Sequence, residues 1–243
     1  MYDNRLYELP ALLRANAYPG RGLVLGMTAD GQSLAAVYFI MGRSSNSRNR
    51  VFVPDGDHIR IEPYDKGAGG DQSLTIYRPM TTVGDCFILS NGDQTDTVAE
   101  ALASGGTFEG ALRTRAFEPD APNFTPRISG MLNLGTGAAR LSVLRAGDSD
   151  GTRCDRLFYE YVAARGEGRF LHTYQGDGHP LPPFRGEPAR VTVPDSPEAF
   201  AEELWDALNR DNRVALCVRY MDIGGGASRL VIKNRHPEGG HHA

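Results

Sequence analysis

The chain has 243 residues, of which 40% are hydrophobic and 23% charged, the make-up of an ordinary globular protein with enough apolar mass for a sizeable core. A formal net charge of −4 excludes the broad basic face of a general nucleic-acid or membrane-surface binder, and no apolar run approaches the roughly 20 residues needed to span a bilayer. Cys86, Cys154 and Cys217 are odd in number and widely spaced, and His172, His179, His241 and His242 show no ligand spacing, so neither a disulfide framework nor a metal is expected.

The start, Met1-Tyr2-Asp3-Asn4, lacks the basic residues and apolar stretch of a secretory signal, and the expected compartment is the cytoplasm. A helical turn is expected at Leu9 to Asn16. Arg21 to Met27 and Leu34 to Met41 then read as two strands of a hairpin joined by Ala29-Asp30-Gly31-Gln32. Further strands are expected at His58 to Glu62, Leu74 to Tyr77, Asp85 to Leu89, Arg127 to Leu132 and Arg140 to Leu144. The series continues with Leu157 to Ala163, Gly168 to Tyr174, Ala189 to Val193, Arg213 to Met221 and Ser228 to Ile232.

A first helix is expected near Asp93 to Thr97, with Thr97 and Glu100 spaced as a capping box, ending at Ser104-Gly105-Gly106; a second follows at Phe108 to Arg115. Another has Ser196 as N-cap, Pro197 at its first position, and Phe200, Leu204 and Leu208 on one face, with Trp205 at its edge. Many antiparallel strands with helices grouped in sequence favour an α+β fold over a doubly wound one. The reading is one domain over residues 1–236 with a disordered tail from Pro237 to Ala243. Residues Gly176 to Pro188, rich in Gly and Pro, read as an internal loop or a lid.

The familiar phosphate loops and nucleophile elbows are missing, and Gly166-Glu167-Gly168 supplies only part of a dinucleotide fingerprint. Polar segments at strand ends remain. The run Arg43-Ser44-Ser45-Asn46-Ser47-Arg48-Asn49-Arg50 follows a buried strand and offers guanidinium forks and amides suited to a planar anion; a solvated basic loop is the plainer alternative. Ser90 to Thr97 crosses from a strand into a helix, where free helix amides attract anions. Asp93, Thr95 or Thr97 serves as the cap there, and Asn91, Gln94 and Asp96 are surplus. The prolines in Glu118 to Arg127 make that stretch an ordered extended loop. Tyr77 reads either as a core aromatic or as a site residue.

Together these segments resemble the archaeal-type IMP cyclohydrolase family and its longer bacterial relatives. The likeness lies in Tyr18-Pro19-Gly20-Arg21-Gly22, the Arg43 to Arg50 run, Tyr77, Ser90 to Thr97 and Glu118 to Ser129. In the bacterial relatives it continues through Gly166-Glu167-Gly168, His172-Thr173-Tyr174 and Phe184-Arg185-Gly186-Glu187-Pro188. The chain departs from the short archaeal pattern by a longer arginine run and extra length towards the C-terminus.

The resemblance implies a four-layer αββα sandwich like that of the N-terminal-nucleophile hydrolases, with largely antiparallel sheets but without their nucleophile. It implies closure of formamidoimidazole-carboxamide ribotide (FAICAR) to inosine monophosphate (IMP) with loss of water, without a cofactor. It also implies Arg50, Tyr77 and Glu118 as catalytic residues with Asn91 beside them: Arg50 to stabilise the formyl oxyanion or position the base, Tyr77 as proton donor or relay, Glu118 as proton acceptor. An Arg50–Glu118 ion pair without catalytic meaning is the alternative. Arg21, Arg43, Arg48 and Arg127 compete for the 5′-phosphate, and Asn46, Asn49, Asp93 and Thr95 complete the expected binding set. The partners implied are the ribotide and, compatibly, further copies of the chain, with no nucleic acid and no membrane. A purine-nucleotide sensor without chemistry, or a cyclohydrolase or amidohydrolase for a different ribotide, would use the same arginines.

Overall fold

The apolar run expected to form a strand at Leu34 to Met41 does so, and all nine positions of that strand are buried because a different layer covers each of its faces. The computed structural model describes residues 5–68, 74–226 and 228–236. The expected tail at Pro237 to Ala243 lies outside them.

In chain order the elements are β1 (Leu6–Tyr7), α1 (Leu9–Ala15), β2 (Arg21–Met27), β3 (Ser33–Met41), α2 (Ser45–Arg48), β4 (Val51–Asp55) and β5 (His58–Glu62). Then come β6 (Met80–Val83), β7 (Cys86–Ser90), α3 (Gln94–Ala103), α4 (Phe108–Arg113), β8 (Arg127–Asn133), β9 (Ala138–Ala146) and β10 (Cys154–Val162). The series closes with β11 (Glu167–His172), β12 (Ala189–Thr192), α5 (Pro197–Ala207), β13 (Arg213–Asp222) and β14 (Arg229–Asn234). A seven-stranded sheet runs β1-β12-β11-β2-β3-β13-β14, a five-stranded sheet runs β10-β9-β8-β7-β6, and β4 and β5 form a ribbon. The β1–β12 pair is parallel and the other strand pairs are antiparallel. The fold is α+β with largely antiparallel sheets.

Side chains alternate along a strand, and along β3 the alternation divides between two cores. Leu34, Ala36, Tyr38 and Ile40 pack in one cluster with Phe87, Leu89, Ile128, Leu141 and Val143 of the five-stranded sheet. Ala35, Val37, Phe39 and Met41 join Leu9 and Leu13 of α1 and Phe200, Ala201 and Leu204 of α5. A third cluster links Ile88, Met131 and Leu144 of the five-stranded sheet to Val98 of α3 and Phe108, Ala111 and Leu112 of α4. The Ser196 hydroxyl caps α5 by accepting from Ala199 N, with Pro197 following, as its sequence predicts.

Three expectations are corrected. Leu74 to Tyr77 is turn and irregular chain rather than strand; β6 starts only after Pro79, which has no N–H to give a ladder. Helix α3 begins at Gln94, one turn before the expected capping box, so Thr97 and Glu100 lie inside it. Asp93 occupies the N-cap without a side-chain cap bond, because its carboxylate is held by Arg115 and Arg127. The two-residue β1 and the four-residue α2 carry too few residues for a periodic signal.

At the end of β11, burial pushes the His172 imidazole down from 6.5 to about 4, against a partial opposing effect of its contact with Tyr174 O. The unfolded chain therefore binds the proton first as pH falls. The native state loses stability between pH 6.5 and about 4, by up to about 3 kcal/mol at 1.36 kcal/mol per unit. Denaturant unfolding at pH 7 and pH 4.5 should show this slope reduced in His172→Gln. An equal slope in both proteins contradicts it.

Candidate active site

The ends of β2, β3 and β11 and the loop between α4 and β8 enclose a cleft of about 400 Å³, lined among others by Tyr18, Arg21, Arg43, Asn46, Glu118 and Tyr174. Its size is that of a small-ligand pocket. The Glu118 loop is held by its own backbone and side chains: Glu118 N donates to Thr125 O at 2.9 Å, and Asp120 Oδ1 accepts from Thr125 N at 2.7 Å. The Thr125 hydroxyl meets the Tyr174 phenol, which locks the loop to the end of β11. Asn123 Oδ1 accepts from Leu181 N at 3.2 Å, and Arg43 Nη1 reaches Asp177 Oδ1 at 2.6 Å and Gly178 O at 2.9 Å. The Gly176 to Pro188 segment is thus fastened to the cleft rim at two points.

Glu118 is 2% exposed, and its carboxylate lies 3.6 Å from Arg21 Nη2. Burial raises its pKa, with Asp120 adding to the rise and Arg21, Arg127 and Arg50 opposing it. Arg50 is 1% exposed; burial and the neighbouring Arg21 charge lower its pKa, while Tyr77, Tyr38 and Tyr18 oppose that shift. It gives Nε to Ser47 O at 2.8 Å and Nη2 to Met41 O at 3.2 Å. Arg50 Nη1 and Arg21 Nε are buried with no hydrogen-bond partner among the described residues. The Tyr77 and Tyr38 hydroxyls are 2.7 Å apart, and Tyr77 is coupled electrostatically to both arginines. Burial in the inter-sheet core raises the Tyr38 pKa, so Tyr38 keeps its proton.

Of the residues expected in the site, Arg21, Arg43, Asn46 and Glu118 line the cleft, and Arg50 and Tyr77 lie within electrostatic reach of Arg21. Glu118 has its ion pair with Arg21 rather than with Arg50. The remaining candidates are engaged elsewhere. Arg48 bonds Gly42 O and Asn212 Oδ1, and the Asn49 amide makes a two-way clasp with the Asp65 backbone. Asn91 gives Nδ2 to Pro126 O and accepts on Oδ1 from Gln94 and from Ile128 N. Arg127 binds Asp93 and Gln94, and the Thr95 hydroxyl bonds Pro79 O and Gly92 O. Asn91, Asp93 and Gln94 thereby tie the β7–α3 turn to the start of β8.

The family model described as "IMP cyclohydrolase-like protein" matches residues 18–226. The chain belongs to this family. Among its relatives, the IMP cyclohydrolase of Methanopyrus kandleri is 35% identical over 116 residues, covering 46% of this chain and 57% of the relative. That of Methanococcus aeolicus is 31% identical over 123 residues, 49% of this chain and 60% of the relative. That of Haloquadratum walsbyi is 28% identical over 119 residues, 47% of this chain and 56% of the relative. The chain thus spans little more than half the length of the relatives it matches.

Tyr18, Asp120, Asn123, Thr125 and Tyr174 also line the cleft, and nothing in the sequence alone marks them as candidates. Each lies within a segment that carried the resemblance. Tyr and Thr are common core and turn residues, so only their adjacency in the fold marks them. No helix among the described residues is long and apolar enough to cross a membrane.

Proposed function

We propose that the cleft closes FAICAR to IMP. One observation carries this reading: two buried guanidinium nitrogens, Arg21 Nε and Arg50 Nη1, lack partners among the described residues, and Arg21 lies beside a buried carboxylate of raised pKa. Unpaired buried donors call for acceptor oxygens, and a carboxylate of raised pKa suits a general base near neutral pH. The family match and the relatives' names support the same reaction.

The carboxamide nitrogen attacks the formyl carbon of the same molecule, forming the C–N bond and converting the formyl oxygen to an oxyanion. Glu118 accepts the proton lost by the nitrogen. Arg21 and Arg50 hold the oxyanion, and Tyr77, its phenol bonded to Tyr38, protonates it to a hydroxyl; Glu118 then returns the proton it took as that hydroxyl leaves as water, while the former formamido nitrogen gives its N–H proton to the Tyr77 phenolate and the ring C=N bond forms. Because both reacting groups belong to one molecule, the cleft's main contribution is to hold them in a reactive conformer while stabilising the developing charge. Arg43 and Asn46 at the rim take the 5′-phosphate, since Arg48 and Arg127 are engaged away from the cleft. Asn91, Asn49, Asp93 and Thr95 act by holding the surrounding chain.

The layering of helices and sheets described by the three apolar clusters supports a four-layer αββα sandwich like that of N-terminal-nucleophile hydrolases, built as one domain. A biosynthetic ribotide as substrate supports a cytoplasmic location, and further copies of the chain remain compatible partners. Tyr77→Phe tests the proton path. Steady-state turnover of FAICAR should fall about 10²-fold with KM little changed, and turnover within a factor of two of wild type removes Tyr77 from the mechanism.

A further inference from the structure

Two of the segments that carry the resemblance, His172-Thr173-Tyr174 and Phe184 to Pro188, supply little of the chemistry assigned to the cleft, yet they fold against each other. Phe184 N donates to Thr173 O at 2.9 Å and Gln175 N to Pro182 O at 3.0 Å, while Gln175 Nε2 reaches Arg185 O at 3.3 Å. With α1 they enclose a second cavity of about 320 Å³, at the small end of ligand pockets. It shares no lining residue with the cleft. Its buried floor is formed by Leu13, Pro19, Phe170 and Phe184, and Gln175, Arg185 and Glu187 stand exposed at its rim.

His172 lies between floor and rim, its ring stacked on Phe170 with centroids 5.0 Å apart and edge-on to Phe184 at 4.9 Å. Its Nδ1 is 2.7 Å from Tyr174 O. A carbonyl oxygen only accepts, so Nδ1 carries the proton. Burial keeps the ring neutral down to about pH 4, which leaves Nε2 as a lone-pair acceptor. No donor among the described residues bonds to it.

We infer that this cavity is a second small-molecule site, taking a neutral planar nitrogen heterocycle of the nucleobase class that lies against Phe184 and donates a ring N–H to His172 Nε2. The apolar and aromatic floor disfavours a strongly hydrated ion. The rim carries one cation and one anion, Arg185 and Glu187, and so selects for neither charge. Asn16 is held by Tyr174 O and Tyr18 N, and Gln175, whose Nε2 reaches Arg185 O, lines the cavity with an amide oxygen able to accept from a heterocycle edge. The inference needs no turnover and stands apart from the ring-closure reading.

Isothermal titration with adenine and with hypoxanthine, cleft saturated with IMP, tests it. At least one base should bind with a stoichiometry near one, equally in wild type and in Glu118→Gln. Affinity should drop about ten-fold in His172→Phe, the loss expected for one hydrogen bond. In ¹⁵N-histidine-labelled protein the His172 Nε2 resonance should move on binding, a readout that also decides the matter if His172→Phe fails to fold. The inference is overturned if neither base binds at millimolar concentration, if IMP competes with the base, or if Nε2 does not shift.

Discussion

Glu118→Gln should lower kcat for IMP formation about 10²- to 10⁴-fold, the range for loss of a general base, while binding of IMP should stay within a few-fold of wild type. The amide keeps the shape of the side chain and removes its capacity to accept a proton. Stability moves the other way. Because burial raises the Glu118 pKa, the folded state holds this proton more tightly than the unfolded chain, and wild-type stability declines as pH rises through the folded pKa. Glutamine does not ionise, so the variant gains stability relative to wild type between pH 4 and pH 8. Thermal unfolding at both pH values, beside the activity assay, separates chemistry from structure. Activity within ten-fold of wild type contradicts the assigned role.

Gly20→Ala should damage fold and cleft together. Gly20 sits at φ +76°, a left-handed conformation that a side chain strains. A Cβ there would meet Tyr174 Cδ2 at 2.5 Å and also the Thr173 hydroxyl. Neither neighbour is free to yield: Thr173 Oγ1 accepts from Arg21 N at 3.1 Å and donates to Pro19 O at 3.1 Å, and the Tyr174 phenol holds the Glu118 loop through Thr125. The expected cost is about 1–3 kcal/mol for backbone strain, read from the denaturant midpoint, with a fall in kcat/KM because Arg21 and Tyr174 shift together. A midpoint equal to wild type contradicts the account of this turn.

The parts of the fold legible in the sequence were those with a repeated physical signal. The strands at Arg21 to Met27 and His58 to Glu62 have the bounds expected for them, and Ser196-Pro197 opens α5 as its chemistry predicts. Helix α3 opens at Gln94, within the start expected for it, but Thr97 and Glu100 form no capping box, and Asp93 at the N-cap is held instead by two arginines remote in sequence. The same limit governed the site. Arg, Asn and Asp at strand ends look alike in sequence, whether they reach a cleft, as Arg43 does, or clasp the backbone, as Asn91 does. Pairing decides between them, and it depends on contacts such as Asn91 with Ile128, 37 residues apart. Glu118 and Arg21 were both candidates, but their pairing across the ends of two layers appears only once the chain is folded.

Ring closure in the Arg21–Glu118 cleft is read from the ultraviolet absorbance of the purified protein with freshly prepared FAICAR and no added metal. IMP should form with the wild type, and about 10²- to 10⁴-fold more slowly with Glu118→Gln. A wild-type protein that binds IMP in the cleft yet forms none from this ribotide contradicts ring closure there, and would make the chain a nucleotide sensor or an enzyme for another ribotide.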